Sequence, residues 1–251
     1  MGFRVQIIRP EDPPDSFPNP MGMGVALRHP DGLIAMGGDL SPERLIAAYA
    51  RGIFPWFNED QPILWWSPNP RAVIEPEQFH MSRSLARMLK RGGWEYSTNQ
   101  CFVEVINGCA NNRGEFGTWI TSEMVAAYIR LHELGYAHSI ESWYMGELAG
   151  GIYGIRLGNV FFGESMFSRI GNGSKVAISA LVNLCLEVRI SLLDCQVASP
   201  HLVTLGMIEL PREVFLQRLA VNKSVKMPFS QVTPERVPAN TLIRLRDTPS
   251  T

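Results

Sequence analysis

The chain has 251 residues, of which 45% are hydrophobic and 19% charged, and its formal net charge is −1. This length fits one large domain or two small ones, and the composition excludes a chain that is disordered throughout. Because the net charge is close to zero, a nucleic-acid partner would need a local basic patch. The densest apolar run, residues 176–186, is shorter than the roughly 18 residues of a membrane span. No secretory signal is recognisable, so we expect a cytoplasmic protein with four reduced cysteines.

The prolines divide the chain. Twelve of the 18 lie between residues 10 and 76, and none lies between 77 and 199. The first part is therefore rich in turns, whereas the middle can form long helices and strands. We predict an N-terminal domain of residues 1–65, a larger domain of residues 66–220, and a poorly packed tail of residues 221–251, where the chain is polar and prolines recur.

Helix caps and hydrophobic spacing predict the elements in chain order. Ser41 and Pro42 predict a helix over residues 42–51, because serine is a good N-cap and proline suits the first turn. Further helices are predicted after Ser82, after Thr121 as far as Gly135, after Ser174, and from Pro211 to about residue 220. Strands are predicted at residues 70–75, 93–97, 137–143, 147–157, 159–167 and 190–196, with a hairpin at Gly158 and Asn159.

The order of these elements predicts the fold class. Strands pair locally and then return after the helix that follows Ser174, so we expect a mixed sheet with helices packed on it. The prediction is an α+β (α/β-like) fold, with a small N-terminal domain and a larger domain that holds the mixed sheet.

Two segments have the composition of nucleic-acid contacts. Residues 53–71 hold three of the six tryptophans in a proline-rich stretch, which can offer a rigid stacking face for a base or form a hydrophobic plug between domains. After Ser82, four basic residues at helical spacing share one face, which can follow a phosphate backbone or simply be solvated. The four are Arg83, Arg87, Lys90 and Arg91.

Two acidic residues are candidates for chemistry. Glu164 lies inside an apolar strand, where an acid is either paired within the structure or available to a cation. Asp194 and Gln196 end another apolar strand, and strict alternation places both on one face, where they can orient a substrate hydrogen bond. The same alternation turns the thiol of Cys195 away from Asp194, which disfavours a thiol nucleophile that uses His201.

Other motifs are incomplete. Residues 163–167 lack the closing glycine of a serine-hydrolase elbow. His132 and His138 do not have the spacing of metal ligands, so we expect no metal. Residues 169–173 are one residue short of the loop that holds the pyrophosphate of acyl-CoA in acetyltransferases, so they indicate an anion-binding loop or a simple turn.

Taken together, six segments resemble the bacterial leucyl/phenylalanyl-tRNA–protein transferases in their order and spacing. The resemblance runs from about Phe17 to Leu219. The segments are GGDLSP (37–42), the block 52–71, GTWIT (117–121), LHELG (131–135), FGESMFS (162–168) and DCQ (194–196).

The resemblance implies a GNAT-like acyltransferase domain and a reaction. Leu, Phe and, less efficiently, Met move from an aminoacyl-tRNA to the α-amino group of a protein that begins with Arg or Lys, which marks that protein for N-end rule degradation. An aminoacyl ester is already activated, so aminolysis needs mainly a positioned, neutral amine. No cofactor is implied, and we expect a monomer.

The resemblance also implies the roles of individual residues. Gln196 accepts a hydrogen bond from the attacking amine, Asp194 orients Gln196 or takes the proton, and Glu164 faces the incoming Arg or Lys. Trp56 and Trp119 flank the terminal adenine. For the four basic residues it is their shared helical face that predicts binding to the tRNA backbone. The expected apolar pocket for the aminoacyl side chain consists of Ile152, Phe161, Met166, Ile178, Leu181, Cys185 and Leu193.

Two other functions stay open at this stage. An acyl-CoA-dependent N-acetyltransferase of the same fold would bind acetyl-CoA. The loop of residues 169–173 is one residue too short for this, which disfavours that function. A non-catalytic RNA-binding module would tolerate changes at Asp194, Glu164 and Gln196.

Overall fold

A computed structural model describes residues 5–21, 32–111, 120–222 and 235–246. Its N-terminal part holds a four-stranded sheet in the order β1-β2-β4-β3, in which only the pairing of β1 with β2 is parallel. The strands are β1 (Gln6–Ile8), β2 (Leu33–Gly37), β3 (Phe54–Pro55) and β4 (Leu64–Trp66). Helix α1 (Pro42–Tyr49) connects β2 to β3, and the Ser41 hydroxyl accepts a hydrogen bond from the backbone N–H of Arg44, as expected for an N-cap.

The larger sheet has eight strands in the order β11-β5-β10-β9-β8-β7-β6-β12. Its neighbouring strands are antiparallel except β9 and β10, which are parallel and joined by a helix. The strands are β5 (Arg71–Ile74), β6 (Trp94–Thr98), β7 (Ala137–Tyr144), β8 (Glu147–Leu157), β9 (Val160–Ser168), β10 (Leu192–Gln196), β11 (Ile208–Leu210) and β12 (Val237–Pro238).

Helices cover both faces of this sheet. They are α2 (Arg83–Lys90), α3 (Phe102–Ala110), α4 (Ser122–Glu133), α5 (Gly173–Glu187), α6 (Pro200–Val203) and α7 (Arg212–Asn222), with 3₁₀ turns at Pro76–Gln78 and Ala239–Arg246. Successive residues of one strand point to opposite faces of the sheet, so they pack into different hydrophobic cores. On β8, Ile152 packs with α2 and α5, whereas Tyr153 packs with α3, α4 and the small N-terminal sheet.

These elements confirm the predicted α+β architecture, with a small N-terminal sheet and a larger mixed sheet. The hairpin is also as predicted, since Leu157 pairs with Val160 across the two-residue turn. One cap differs: α5 begins at Gly173 after Asn172, which adopts a left-handed conformation with φ of 74° and replaces Ser174 as the N-cap. The GNAT-like designation and the boundaries at residues 65 and 220 stay predictions.

The prediction of a poorly packed tail is wrong for residues 235–246, which we call the C-terminal segment. Its strand β12 pairs with the edge of β6, and Ala239, Leu242 and Leu245 are buried against α2 and α5. Because this segment is polar overall and its prolines recur, its sequence does not indicate that these three apolar side chains are buried.

No helix within the described ranges is long and apolar enough to cross a membrane.

Candidate active site

Three polar side chains from different elements meet at Glu164 of β9. The carboxylate accepts hydrogen bonds from the hydroxyl of Tyr49 on α1 (2.7 Å), the hydroxyl of Tyr128 on α4 (2.9 Å) and the side-chain amide of Gln196 on β10 (2.7 Å). The two tyrosine hydroxyls also contact each other. The site therefore joins the small N-terminal unit to the large sheet.

Two neighbouring β-bulges explain why these side chains converge. On β9, Ser165 pairs with Tyr153 and Gly163 pairs with Gly154, so Glu164 is an extra residue without a partner on β8. On β10, Cys195 is likewise extra, and the following Gln196 has a φ of 64°. A bulge redirects a side chain out of the regular alternation, and bulges are frequent next to active sites.

The electrostatic environment of Glu164 is unusual for a carboxyl group. Only 8% of the residue is exposed. Burial raises the pKa of Glu164 to about 7, and the nearby charge of Asp194 also raises it. Hydrogen bonds from Tyr49, Tyr128 and Gln196 lower the pKa but do not cancel the effect of burial. Glu164 therefore exchanges a proton close to neutral pH, which suits a group that accepts one.

Asp194 lies behind this cluster and is fully buried. Its two carboxylate oxygens accept hydrogen bonds from Nε and Nη2 of Arg71 at 2.8 and 2.7 Å, and Oδ1 also accepts one from the backbone N–H of Gln196 at 3.0 Å. The Arg71 guanidinium lies 4.8 and 4.7 Å from the rings of Phe54 and Phe215. This pair fixes the backbone at the point where Gln196 leaves the strand.

The expectation that Asp194 and Gln196 share a face is wrong, because the bulge at Cys195 interrupts the alternation. Asp194 lines neither of the two cavities at the site and contacts the main chain of Gln196, not its amide. Cys195, whose thiol regular alternation would turn away from Asp194, lines both cavities. Burial raises the pKa of its thiol, so it is a poor nucleophile.

Two small cavities meet at Glu164 and Cys195. The first, of about 140 Å³, we call the Trp56 cavity; it is lined by Phe54, Pro55, Trp56, Glu164, Cys195, Gln196 and Val197. The second, of about 100 Å³, we call the apolar cavity; it is lined by Ile152, Gly163, Glu164, Ser165, Met166, Ile178, Leu193, Cys195 and Leu202. Trp56 is 43% exposed, so its ring is available to a ligand.

Four of the seven residues expected in the side-chain pocket lie together, and the assignment of their cavity to the aminoacyl side chain stays a prediction. Ile152, Met166, Ile178 and Leu193 line the apolar cavity. Phe161, Leu181 and Cys185 do not line it; they are fully buried in the core. Leu181 and Cys185 lie one and two turns further along α5 than Ile178, which takes them away from the cavity.

The four predicted basic residues line neither of these cavities. Arg83, Arg87 and Lys90 are exposed along α2, and Arg91 is exposed at its C-cap. Trp119 lies outside the described residues.

Sequence reasoning missed Tyr49, Tyr128 and Arg71. The spacing of Tyr128 in the helix predicted after Thr121 is that of an apolar residue, which fits its ring but ignores its hydroxyl. A buried tyrosine usually needs a hydrogen-bond partner, and this requirement could have indicated a polar group nearby.

Comparisons with known proteins place this site in a family. A family model described as leucyl/phenylalanyl-tRNA protein transferase matches residues 73–220, and the model for the N-terminal domain of the same proteins matches residues 38–69. The chain belongs to this family. The transferase is 53% identical over 204 residues to the leucyl/phenylalanyl-tRNA–protein transferase of Idiomarina loihiensis, covering 81% of this chain and 86% of the relative. It is 52% identical over 213 residues to that of Klebsiella pneumoniae strain 342, covering 85% and 89%.

Membership makes the chain an aminoacyltransferase, which decides against the two other functions considered from the sequence. Both matched segments contribute to the site of the transferase. The N-terminal match contains Tyr49 and Trp56, and the larger match contains Tyr128, Glu164 and Gln196.

Proposed function

We propose that this transferase moves Leu, Phe and, less efficiently, Met from an aminoacyl-tRNA to the α-amino group of proteins that begin with Arg or Lys. The observation that carries the proposal is the position of Glu164, which lines both small cavities and whose carboxyl group has a pKa near neutrality. One cavity can hold the donor side chain while the other admits the attacking amine.

The donor fits the apolar cavity by its chemistry. Ile152, Met166 and Leu193 offer hydrocarbon and thioether surface without a charge. Unbranched methionine adapts to Leu, Phe and Met alike, and we propose that the extra bulk at the β-carbon excludes Ile and Val. The terminal adenine stacks on Trp56, with Trp119 as its predicted second partner.

The acceptor amine is positioned by Gln196. The amide N–H₂ of Gln196 already donates to Glu164, which leaves its carbonyl oxygen to accept a hydrogen bond from the amine. A glutamine is not a base, so the proton passes to Glu164. The neutral amine nitrogen attacks the ester carbonyl carbon, and the bond from that carbon to the ribose oxygen breaks. The nitrogen releases its second proton as the amide forms, and the ribose oxygen takes up this proton.

Glu164 also accounts for acceptor selection. An N-terminal Arg or Lys carries two positive charges close together, the α-ammonium and the side chain. Ionised Glu164 attracts both, whereas a neutral first residue offers only one. Asp194 and Arg71 act as positioning residues, because they hold the backbone of Gln196 without lining either cavity.

The direct test is transfer of labelled leucine from charged tRNA to a peptide that begins with Arg. Peptides that begin with Ala, or with an Nα-acetylated Arg, are matched controls, and Val- and Ile-tRNA test the donor side. We expect transfer only to the free Arg and Lys termini. Glu164→Gln should reduce turnover strongly, whereas Glu147→Gln, an exposed glutamate on β8, should not. Equal transfer to Ala- and Arg-initiated peptides would contradict the acceptor assignment.

The predicted monomeric state and cytoplasmic location stay predictions, as does the link to N-end rule degradation.

A further inference from the structure

Two basic side chains lie at the rim of the apolar cavity, Lys175 on α5 and His201 on α6. Lys175 comes three residues before Ile178, which lines the cavity, so the two share one side of the helix about 4.5 Å apart along its axis. His201 directly precedes Leu202, which lines the same cavity from α6. Both basic residues are half-buried, so they lie where the cavity meets solvent.

The side chains of Lys175 and His201 are close to each other. Burial lowers the pKa of the His201 imidazole, and the charge of Lys175 lowers it further, which requires a nearby ammonium group. His201 is therefore neutral at pH 7 and offers one ring N–H, whereas Lys175 offers a positive charge and three N–H donors. In the part of the chain that the structure describes, neither side chain makes a hydrogen bond or an ion pair, so these donors are available to a ligand.

The charges at the site favour one substrate for this rim. Among the described residues that line the Trp56 cavity and the apolar cavity, Glu164 has the only carboxyl group, and none is a lysine, arginine or histidine. An acceptor that begins with Arg or Lys is attracted by ionised Glu164 and repelled by Lys175. The rim therefore suits the donor, which is a polyanion.

The terminal ribose of the donor carries three groups, of which the proposed function places two. The ester leads into the apolar cavity, and the adenine stacks on Trp56. The third group is the 5′-phosphodiester, which has to leave the site past the rim. It carries one negative charge and only acceptor oxygens, so an ammonium group and a neutral ring N–H complement it.

We propose that Lys175 and His201 bind the phosphodiester that joins the last two nucleotides of the donor tRNA. The inference rests on the proposed function, in which the donor side chain occupies the apolar cavity. Holding this phosphate fixes the ribose, and with it the ester carbonyl, beside Glu164 and Gln196. Lys175 and His201 thus contribute to donor binding and placement, and the proton transfer stays with Glu164.

The test measures calorimetric binding of two unreactive donor analogues, in which an amide replaces the ester. Leucyl-adenosine has no phosphate, whereas leucyl-cytidylyl-adenosine has one phosphodiester. Lys175→Gln should lower the affinity for the dinucleotide analogue by about tenfold or more and leave that for the adenosine analogue unchanged, because a hydrogen bond to a charged group contributes at least this factor. His201→Ala should act in the same direction by a smaller factor, since it removes a neutral donor.

Matched variants and a matched ligand isolate the phosphate contact. Arg130→Gln removes an exposed cation of α4 that lines neither cavity, and it should affect neither analogue. Lys175→Arg keeps the positive charge and should retain most of the dinucleotide binding. A dinucleotide analogue with a neutral methylphosphonate linkage should bind the native chain about as weakly as the phosphodiester binds Lys175→Gln.

The outcomes separate this proposal from the proposed function. Equal weakening of both analogues in Lys175→Gln would overturn the proposal, as would equal binding of the phosphodiester and the methylphosphonate to the native chain. A native chain that shows the expected phosphate dependence but transfers no leucine would contradict the proposed function alone. A native chain that binds neither analogue would contradict both.

Discussion

At the scale of single residues, the ionisation of Glu164 affects stability as well as chemistry. Burial raises its pKa from 4.5 to about 7, so between these values the folded protein holds a proton that the unfolded chain releases. The free energy of unfolding contributed by this group therefore falls as pH rises from 4.5 through 7, by at most about 1.4 kcal/mol per pH unit.

We predict that Glu164→Gln removes this fall. The measurement is urea unfolding of the native chain and of the variant at pH 5, 6 and 7. The quantity to compare is the difference in the free energy of unfolding between the two proteins. Burial lowers the pKa of His138 to about 3, so below pH 6.5 this histidine changes the free energy of unfolding with the opposite sign, but it does so equally in both proteins. A difference that stays constant with pH would contradict the raised pKa.

Asp194 gives a second prediction at this scale. Asp194→Asn leaves the buried guanidinium of Arg71 without its counter-charge, so the free energy of unfolding should fall by about 3–5 kcal/mol. Glu133→Gln breaks the exposed pair with Arg130 and should lose far less.

The pH dependence of transfer activity distinguishes the two roles considered for Asp194, which are to orient Gln196 or to take the proton. If it positions Gln196, the folded fraction of Asp194→Asn should regain much of its transfer rate at pH 9, where more of the substrate amine is neutral. A variant as stable as the native chain, with a large loss that persists at pH 9, would instead assign Asp194 to the proton transfer, where a general base contributes roughly 10²–10⁴-fold.

At the scale of elements, the central strands could be predicted from the sequence but the bulges could not. Residues 147–157 form an almost continuous apolar run that lies between the turn residues Gly146 and Gly158, so β8 follows from local pattern. The bulges at Glu164 and Cys195 depend on which residues of the neighbouring strands they oppose, and that register is set by pairing across the whole sheet. The site was therefore predicted in composition, with Gln196 and Glu164 named, but not in geometry.

The short elements were missed for a different reason. Strands β1, β3 and β4 have only two or three residues, too few for an alternating pattern to be recognised. Helix α3 contains Val103, Val105 and Gly108, which have low helix propensity, and it is stabilised by packing against β8 and β9.

Helix α2 carries a prediction about tRNA. Its basic residues are exposed and its buried side is apolar, so replacing Arg83, Arg87, Lys90 and Arg91 together by alanine should preserve the helix. If they contact the tRNA backbone, the salt dependence of tRNA binding should flatten by roughly 0.9 per lost phosphate contact. Arg130→Ala on α4 is a control for removing an exposed charge. An unchanged salt slope in the fourfold variant would show that this face is merely solvated.

The C-terminal segment allows a prediction about stability. Leu242 is fully buried against the core formed with α2 and α5, so Leu242→Ala should lower the free energy of unfolding by about 2–5 kcal/mol. Asn240→Ala changes an exposed neighbour in the same 3₁₀ turn and should have little effect. Urea unfolding checks both. Equal, negligible losses would restore the interpretation of these residues as a poorly packed tail.

At the scale of the whole molecule, the two sheets share one hydrophobic core. Ile34 and Trp65 of the small sheet belong to the same buried cluster as Tyr128, Phe162 and Phe215 of the larger part. The hydrogen bond from Tyr49 to Glu164 crosses the same junction. The predicted division near residue 65 therefore marks a change of sheet, and we expect no independent unfolding on either side of it.

Gly52 provides the test, because it lies where α7 packs against the N-terminal unit. A Cβ atom there would lie 2.5 Å from Leu216 and 2.9 Å from Phe215, and the φ of 69° strains any other residue. Gly52→Ala should therefore destabilise the protein by more than about 1 kcal/mol. Gly92→Ala is the matched control, since its φ is 80° and nothing lies within 4 Å of the added atom, so it measures the backbone strain alone.

Native-state hydrogen exchange should show that Gly52→Ala reduces the protection of slowly exchanging amides in β2 and in β8 by the same amount, because both exchange through one global opening. Loss of protection confined to β2 would show instead that the small sheet unfolds on its own, and that the active site loses Tyr49 whenever it does.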